Sequence, residues 1–404
     1  MNKSEQNLWI FTELFYPDET STSFILSKIA NKLSEKYRIK VICGPESYDS
    51  STRYIQNPCY SLVSNIKIIR VSTFNFNKNK ILSRFLRHFF LSIKMIILCI
   101  KRVKKKDKVF LVTNPFLLIV LISIYKIFVS FELIILVHDV FPENLKPAGI
   151  VKSDNLFKLL KFFFDRVYAS ANKIIVLGED MKEIISSKIN LSNNRLTVIE
   201  NWAEIGTIQK ISRNFWIKNY LLDEQKLHIQ YAGNLGRVQG LMEFLEILRQ
   251  IDNPLLHFSF WGSGAMETEM KNFIQTYQIK NIYFHGRYSR NEQNKVLNSC
   301  DIALITLADG MYGLGVPSKT YNIMAAGKPI LFIGDKKSEI GQTIVKNSIG
   351  FSFSPNEKAQ IINFLNNLKI SDLKDFDSMG KKSRTLAEGY FSEASILKRY
   401  SEFV

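Results

Sequence analysis

The sequence predicts an α/β protein of two domains, each built on a parallel β-sheet covered by helices. Its 404 residues make two domains at roughly 150 residues each. Short apolar runs alternate with longer helix-like segments along the chain, which is typical of parallel sheets with right-handed helical connections. The short runs are continuously apolar, and this pattern indicates strands that are buried on both faces.

The first half alternates seven predicted strands with five predicted helices. The strands are Leu8–Thr12, Ile39–Cys43, Ile66–Val71, Val109–Thr113, Leu133–Val137, Lys173–Leu177 and Leu196–Ile199. The helices lie near 22–36, 82–103, 116–129, 154–171 and 179–188. We expect these elements to form the first Rossmann-like domain, over residues 1–205.

The second half predicts a similar domain over residues 206–385, followed by a helical tail at 386–404. Its strands are Leu227–Ala232, Leu255–Trp261, Ile282–Phe284, Ile302–Ile305 and Ile330–Ile333, and its helices lie near 240–250, 265–277, 290–299, 317–326 and 338–346. The stretch 202–226 has no clear apolar periodicity and is predicted to hold the boundary. In two such domains that face each other, ligands bind at the carboxyl ends of the strands.

Composition favours a globular protein in a reducing compartment. Hydrophobic residues make up 46% and charged residues 23% of the chain, which excludes a disordered protein. The four cysteines are far apart and form no CxxC pair, which argues against a disulfide framework or a structural zinc site (Cys43, Cys59, Cys99 and Cys300). No signal peptide is recognisable, and Lys126 and Glu132 interrupt the apolar stretch 116–137. We therefore expect a cytoplasmic protein.

The positive charge predicts a polyanionic partner. Fifty-four Lys and Arg against 37 Asp and Glu leave a net charge of +17, which suits nucleic acid, an anionic membrane surface or phosphorylated substrates. The apolar helical stretch 85–100 is followed by six cations within 101–108. Two interpretations remain open: a segment that lies on an anionic leaflet, or a core helix followed by a solvated turn.

Two segments of the second half predict phosphate binding. In 231–240, a strand leads into a glycine-rich turn in which Arg237 is able to contact a phosphate; a tight turn with an exposed arginine is the alternative. In 312–329, Pro317 suits a first helical turn, and Ser318 and Lys319 stand beside it. Two anion sites in one domain favour a ligand with more than one phosphate.

Two segments of the first half are the other candidates. His138 follows an apolar strand and is either an acid, base or hydrogen-bonding group or a structural histidine. In 15–23, Ser21 or Thr22 is predicted to cap a helix, although the same loop is able to touch a phosphate or a sugar. Metalloprotease, P-loop and serine hydrolase motifs are absent, and Asp375–Asp377 is expected to be a solvated helix face.

The order of these segments resembles glycosyltransferase family 4. The matching segments are His138-Asp139, Val198–Asn201, Tyr231–Arg237, Phe260–Gly264, Phe284–Arg287 and Val316–Pro329. The chain is most similar to the bacterial branch that builds O-antigen, capsule and colanic acid, including fucosaminyltransferase-like proteins. The resemblance extends from about residue 8 to residue 402.

The resemblance implies the GT-B fold, transfer of a sugar from a nucleotide-diphosphate donor with retention of configuration, and no bound metal or cofactor. Gly236, Arg237, Ser318 and Lys319 would bind the donor diphosphate, and His138 would be the catalytic residue beside the donor sugar. Nucleotide and sugar contacts would come from Gly233, Asn234, Gly262, Gly264, Gly286, Arg287, Pro317 and Asn322. Glu19, Ser21 and Thr22 would form an acceptor-side loop, and the terminal helix would cross back onto the first domain.

The resemblance also suggests the partners. We expect a UDP-sugar as donor, a polyprenyl-diphosphate-linked saccharide as acceptor, a peripheral position on the inner face of the cell membrane, and no nucleic acid. Two features depart from the family pattern: Leu314 and Asn322 stand where many members carry two glutamates, and Ser21-Thr22 stand where relatives often place two glycines.

Three rival functions remain. A UDP-sugar 2-epimerase has the same architecture but needs several acid and base groups, of which the chain offers only His138. A basic nucleic-acid-binding protein would explain the charge, although no nucleic-acid module is recognisable. A catalytically weak scaffold would explain Leu314 and Asn322.

Overall fold

The chain divides into two compact units in a computed structural model that describes residues 6–46, 60–72, 81–189, 194–220 and 222–404. The first unit comprises Met1–Glu200 with Ile396–Val404, and the second comprises Asn201–Ser395. These limits lie near the predicted ones at 205 and 385. The bounds of the domains as we predicted them, and the docking of the whole tail 386–404, stay predictions.

The first unit contains a seven-stranded parallel sheet in the order β3-β2-β1-β4-β5-β6-β7. Its strands are β1 (Asn7–Thr12), β2 (Arg38–Cys43), β3 (Lys67–Arg70), β4 (Lys108–Val112), β5 (Glu132–Leu136), β6 (Lys173–Val176) and β7 (Leu196–Val198). Its helices are α1 (Ser21–Leu33), α2 (Ile81–Arg102), α3 (Phe116–Phe128), α4 (Asp154–Ser170) and α5 (Glu179–Lys188). The central strands are apolar and buried on both faces, as their continuous runs predict.

The second unit contains a six-stranded parallel sheet in the order β10-β9-β8-β11-β12-β13. Its strands are β8 (Leu227–Ala232), β9 (Leu256–Trp261), β10 (Ile282–Gly286), β11 (Ile302–Thr306), β12 (Ile330–Ile333) and β13 (Gly350–Phe353). Its helices are α6 (Arg213–Tyr220), α7 (Leu241–Leu248), α8 (Glu267–Thr276), α9 (Gln293–Asn298), α10 (Lys319–Ala325), α11 (Glu339–Asn347), α12 (Lys358–Asn367) and α13 (Leu373–Gly389). The strand order reverses between β8 and β11, where doubly wound sheets bind their ligands.

Ion pairs and hydrogen bonds attach the end of the chain to the first unit. The last helix, α14 (Glu393–Phe403), places the Arg399 guanidinium 2.5 Å from the Glu200 carboxylate. Lys108 Nζ donates to the Val404 carbonyl oxygen at 2.6 Å, and Lys173 Nζ donates to the Phe403 carbonyl oxygen at 2.7 Å. The residues Ile396–Val404 are therefore part of the structure of the first unit.

The predicted elements differ from the structure in two places. Helix α6 lies inside the stretch 202–226, where the sequence shows no clear apolar periodicity. The periodicity is missing because Trp216 and Ile217 are the only buried residues of this helix. Strand β13 has no predicted counterpart, because its four residues follow helix α11 after only a short turn and are all half-buried at the sheet edge. The other predicted strands and helices are present with shifts of a few residues at their ends.

Tyr400 tests how α14 contributes to stability. The side chain is fully buried, and its hydroxyl has no hydrogen-bond partner within the described part of the chain. We expect Tyr400→Ala to lower the free energy of unfolding by about 3–5 kcal/mol because it leaves a cavity. Tyr400→Phe keeps the ring and removes an unpaired polar group, so it should not lower that free energy. Chemical denaturation measures both, and equal losses would contradict the packing role.

Candidate functional site

Backbone contacts join the three turns that follow β8, β9 and β10. The N–H of Gly233 donates to the Trp261 carbonyl at 2.9 Å, and the N–H of Gly262 donates to the Gly286 carbonyl at 2.7 Å. Gly262 has φ +129°, and a Cβ there would lie 1.9 Å from the Gly233 carbonyl oxygen. Only glycine fits this approach, so Gly262 brings the first two turns into contact.

Gly264 and Arg287 extend this contact. A Cβ at Gly264 would lie 2.3 Å from the Leu235 carbonyl oxygen, so this glycine also allows the turns to pack together. Arg287 donates from Nε to the Ser263 hydroxyl, which ties the turn after β10 to the turn after β9. The structure thus brings together the glycine-rich segments that the sequence singled out, and their contact with a nucleotide stays a prediction.

A buried lysine lies beside these turns. Lys319, the first residue of α10, places its Nζ 3.4 Å from the centre of the Tyr231 ring at the end of β8. This ammonium group has no hydrogen-bond partner in the described ranges, and burial holds its pKa well below the usual lysine value. A buried cation without a counter-ion is costly, and a bound anion would relieve that cost.

Two further groups stand at the same edge of the sheet. Arg237 is exposed and begins a short 3₁₀ helix after Gly236, and Asn234 is exposed within the turn. The Tyr231 hydroxyl donates to the Asn234 carbonyl at 2.7 Å and so supports the turn from below. This hydrogen bond supports the turn that carries Arg237, whose side chain is exposed.

Helix α10 begins two residues later than the sequence indicates. Pro317 and Ser318 precede it, and the N–H of Thr320 donates to the Pro317 carbonyl at 3.1 Å, so that donor is not free for a ligand. The Thr320 hydroxyl and the Thr306 hydroxyl at the end of β11 are buried without a hydrogen-bond partner among the described residues. Thus three buried polar groups have no hydrogen-bond partner among the described residues, one at the end of β11 and two at the start of α10.

The Asn322 side chain forms hydrogen bonds with Glu204, a residue that the sequence does not single out. Its Oδ1 accepts from the Glu204 N–H at 3.0 Å, and its Nδ2 donates to the Glu204 carboxylate at 2.7 Å. The other oxygen of that carboxylate pairs with Arg290. A carboxylate therefore lies next to the position where many family members carry a glutamate, but it comes from the segment before α6. Direct donor binding by Asn322 stays a prediction.

His138 stands at the carboxyl end of β5 in the first unit. The Thr113 hydroxyl, at the end of β4, accepts from the N–H of His138 at 3.2 Å and from the N–H of Asp139 at 3.3 Å. The ring Nε2 is buried and has no partner in the part of the chain described, and burial lowers the pKa of the ring to about 4. The ring is therefore neutral at pH 7.

A buried charged cluster, which the sequence did not predict, lies at the same edge. Glu13 follows β1, and its carboxylate lies 3.4 Å from the Arg87 guanidinium and 3.3 Å from His88 Nε2. Asn114, after β4, donates to the same carboxylate at 3.2 Å. Because β1 and β4 are the strands at which the order reverses, this cluster occupies the topological switch point of the first sheet.

The loop before α1 has a different cap from the predicted one. Thr20, rather than Ser21 or Thr22, caps α1, because its hydroxyl accepts from the Ser23 N–H at 3.3 Å. The Asp18 carboxylate accepts from the Thr20 N–H and fixes the loop. Glu19, Ser21 and Thr22 are at least partly exposed, so the prediction that they contact the acceptor stands untested.

Three further features of the structure bear on the sequence predictions. Asp375 and Asp377 are exposed on α13, as expected, and Asp377 pairs with Lys210 and Lys381. In the described ranges, no three His, Cys, Asp or Glu side chains come together as metal ligands. Nor does any described helix have the length and hydropathy needed to cross a membrane.

Fold and sequence comparisons define a class. Two Rossmann-like units with parallel sheets constitute the GT-B fold, and the family described as "Glycosyl transferases group 1" matches residues 212–385. The chain belongs to this glycosyltransferase family. It is 31% identical over 405 residues to the "Probable glycosyltransferase WbjE" of Pseudomonas aeruginosa, covering 98% of this chain and 97% of that protein.

Other relatives and solved structures agree with this class. WcaI of Escherichia coli (strain K12), named as a colanic acid biosynthesis glycosyl transferase, is 28% identical over 145 residues, which cover 35% of this chain and 36% of WcaI. Sucrose-phosphate synthase of Thermosynechococcus elongatus has a TM-score of 0.77 at 11% identity, covering 98% of each chain. HepE of Anabaena, solved with UDP-glucose, has a TM-score of 0.69 at 14% identity, covering 98% of this chain and 99% of HepE.

His138 gives a prediction on pH. A histidine whose pKa is about 4 in the folded protein and about 6.5 when unfolded binds a proton first in the unfolded state. Its contribution to stability is therefore complete above pH 6.5 and is lost as the pH falls toward 4. We expect the NMR signal of the His138 ring to titrate near pH 4, and His138→Gln to make stability less dependent on pH in this range. A midpoint at or above 6.5 would contradict the buried neutral ring.

Asn322 gives a prediction on stability. Asn322→Glu removes the amide that donates to Glu204 and brings two carboxylates together, so we expect a loss of about 1–3 kcal/mol in the free energy of unfolding. The double variant Asn322→Glu with Glu204→Gln restores a donor opposite an acceptor but removes the carboxylate that pairs with Arg290, so it should recover only part of this loss. Thermal and denaturant unfolding measure both variants, and a single variant as stable as the wild type would contradict the pairing.

Proposed function

We propose that this glycosyltransferase transfers a hexosyl or N-acetylhexosaminyl group from a UDP-sugar, with retention of configuration and without a metal ion. The observation that carries the proposal is the buried Lys319 amino group, which has no hydrogen-bond partner among the described residues and lies beside the turn after β8. An anion with several oxygens, such as a diphosphate, would accept hydrogen bonds from this amino group. HepE binds UDP-glucose on a similar fold, which supports UDP as the nucleotide.

Charge stabilisation supplies the chemistry in this proposal. The bond between the anomeric carbon and the β-phosphate oxygen breaks, and negative charge develops on the leaving diphosphate. Lys319 and Arg237 are the cations that would stabilise this charge, with Ser318 and the backbone at Gly236 as further donors. The acceptor hydroxyl attacks from the same face of the sugar, and its proton passes to the leaving phosphate.

The neighbouring turns would hold the rest of the donor. Gly233, Asn234, Gly262, Gly264, Gly286 and Arg287 belong to the joined turns after β8, β9 and β10, and Pro317 and Asn322 flank Lys319. The Glu204 carboxylate, which Asn322 and Arg290 position, takes the place of the glutamate that is missing at residue 322. We propose that these groups line the nucleotide and sugar pocket of the second unit.

His138 would act on the donor sugar as a neutral hydrogen-bonding group. Its pKa of about 4 excludes a role as a cationic acid at pH 7, and its buried Nε2 is available for a sugar hydroxyl. A neutral ring avoids repulsion from the positive charge that develops at the anomeric carbon. The loop with Glu19, Ser21 and Thr22 is proposed to contact the acceptor at the same edge of the first unit.

The proposed acceptor is a polyprenyl-diphosphate-linked saccharide in the assembly of O-antigen or capsule. The likeness to WbjE over the whole chain and to WcaI, whose name refers to colanic acid, supports this context. The fucosaminyltransferase-like branch is proposed on the motifs alone. An acceptor of this kind is held in a lipid bilayer, and the enzyme would therefore work in the cytoplasm at the inner face of the cell membrane.

The nucleotide site is tested with Lys319→Met. We expect the wild-type protein to bind UDP more tightly than GDP or dTDP, as measured by thermal shift and calorimetry. Lys319→Met loses a charged partner of the diphosphate and should weaken UDP binding about 10- to 100-fold. Because the buried amine has a low pKa until an anion pairs with it, UDP binding should take up a proton and weaken as the pH rises.

Lys328→Met is the matched control. Lys328 is also a buried lysine of the second unit whose pKa burial lowers, and its Nζ lies 5.2 Å from the Trp216 ring centre. It lies outside the joined turns, so its replacement should leave the Kd for UDP unchanged. Binding of no nucleotide, or equal Kd values for UDP in the wild type and Lys319→Met, would overturn the proposed site.

A further inference from the structure

Three neighbouring helices of the first unit expose large apolar side chains. On α3, Ile127 and Phe128 are 78% and 79% exposed. Phe85 and Ile100 of α2 and Phe162 of α4 are about half exposed. Scattered exposed apolar residues are ordinary, but a contiguous patch of them on a soluble protein indicates an interaction surface.

Contacts within the first unit show that these helices lie side by side. Helix α2 packs against α3, and α3 packs against α4. At one end, the rings of Phe85 and Phe116 have centres 6.1 Å apart, which joins α2 to α3. At the other end, the Tyr125 hydroxyl of α3 donates to the Ile100 carbonyl at 3.4 Å. Ile127 and Phe128 therefore lie close to the end of α2, and we call the exposed side of α2, α3 and α4 the three-helix face.

Positive charge adjoins the three-helix face. Residues 81–131 contain ten Lys and Arg but a single acidic residue, Asp107. Five cations at the end of α2 are exposed: Lys101, Arg102, Lys104, Lys105 and Lys106. Lys108, which the sequence grouped with them, is buried and pairs with Glu132 at 3.1 Å. The Asp107 carboxylate is also buried and accepts from Trp9 Nε1, so it does not offset the exposed cations.

We propose that the three-helix face docks on an anionic phospholipid leaflet, with the apolar side chains entering the acyl boundary and the cations contacting lipid phosphates. An anionic bilayer offers the two chemistries that the face combines, an apolar layer and a layer of negative charge directly above it. A protein partner would need an acidic rim around an apolar patch of matching shape. The inference rests on the proposed lipid-linked acceptor and adds the surface by which the enzyme reaches the bilayer.

Vesicle sedimentation in the absence of any substrate tests the face. The full chain should bind vesicles of equal parts phosphatidylglycerol and phosphatidylcholine, bind phosphatidylcholine alone weakly, and detach at high salt. Two variants should each lower the partition coefficient for anionic vesicles about tenfold or more. The first combines Ile127→Glu with Phe128→Glu, and the second combines Lys104→Gln, Lys105→Gln and Lys106→Gln. All substituted residues are exposed, so these variants should fold.

Control variants carry the same kinds of change on the second unit. Val345→Glu alters an exposed apolar residue of α11, and Lys337→Gln, Lys346→Gln and Lys358→Gln remove three exposed lysines; neither should change vesicle binding. UDP binding, measured on every variant, reports separately on the proposed transferase site. A protein that binds UDP but does not bind anionic vesicles would overturn the proposed docking face and would not affect the proposed transferase function. The docking proposal would also be overturned if the protein failed to bind vesicles and formed a dimer that the variant Ile127→Glu with Phe128→Glu dissociates. The three-helix face would then bind a second copy of the chain.

Discussion

Burial of both faces of each parallel sheet is the constraint on which the rest of the structure depends. Helices cover the two faces, and the central strands are buried along their length. The polar side chains inside β8 bond to neighbouring protein groups, His228 to the Asp223 carbonyl and Gln230 to the Ser299 hydroxyl. Polar residues appear where the strands end. Glu13 and His138 follow β1 and β5 in the first unit, and Asn234 and Thr306 stand at the ends of β8 and β11 in the second. Polar side chains that a ligand is able to reach are therefore expected at one edge of each sheet.

The same constraint explains how much the sequence predicts. Continuous apolar runs identify nearly all strands, and the residues near the strand ends suggest a candidate site, so His138, Arg237 and Lys319 are proposed from the sequence alone. Local patterns cannot show which distant residues meet. The pairing of Glu204 with Asn322 joins positions 118 residues apart, and the cluster of Glu13 with Arg87 depends on how α2 packs against the sheet.

In other places, the sequence offers several neighbouring residues for one structural role and does not show which of them takes it. Thr20, Ser21 and Thr22 are all able to cap a helix, and only the backbone geometry selects Thr20. Lys108 belongs to a run of cations in the sequence, yet it opens a central strand and is drawn inward to pair with Glu132. Strand β13 is short and lies at a sheet edge, so it carries little of the apolar signal that marks the inner strands.

The joined turns of the second unit limit how the proposed donor site is able to change. Gly262 and Gly264 lie so close to the backbone of the turn after β8 that no side chain fits between them. These two positions are therefore restricted to glycine by the contact between the turns. In the proposed donor site, a change toward another sugar or base would then proceed through the side chains that project from the turns, such as Asn234, Arg237 and Arg287.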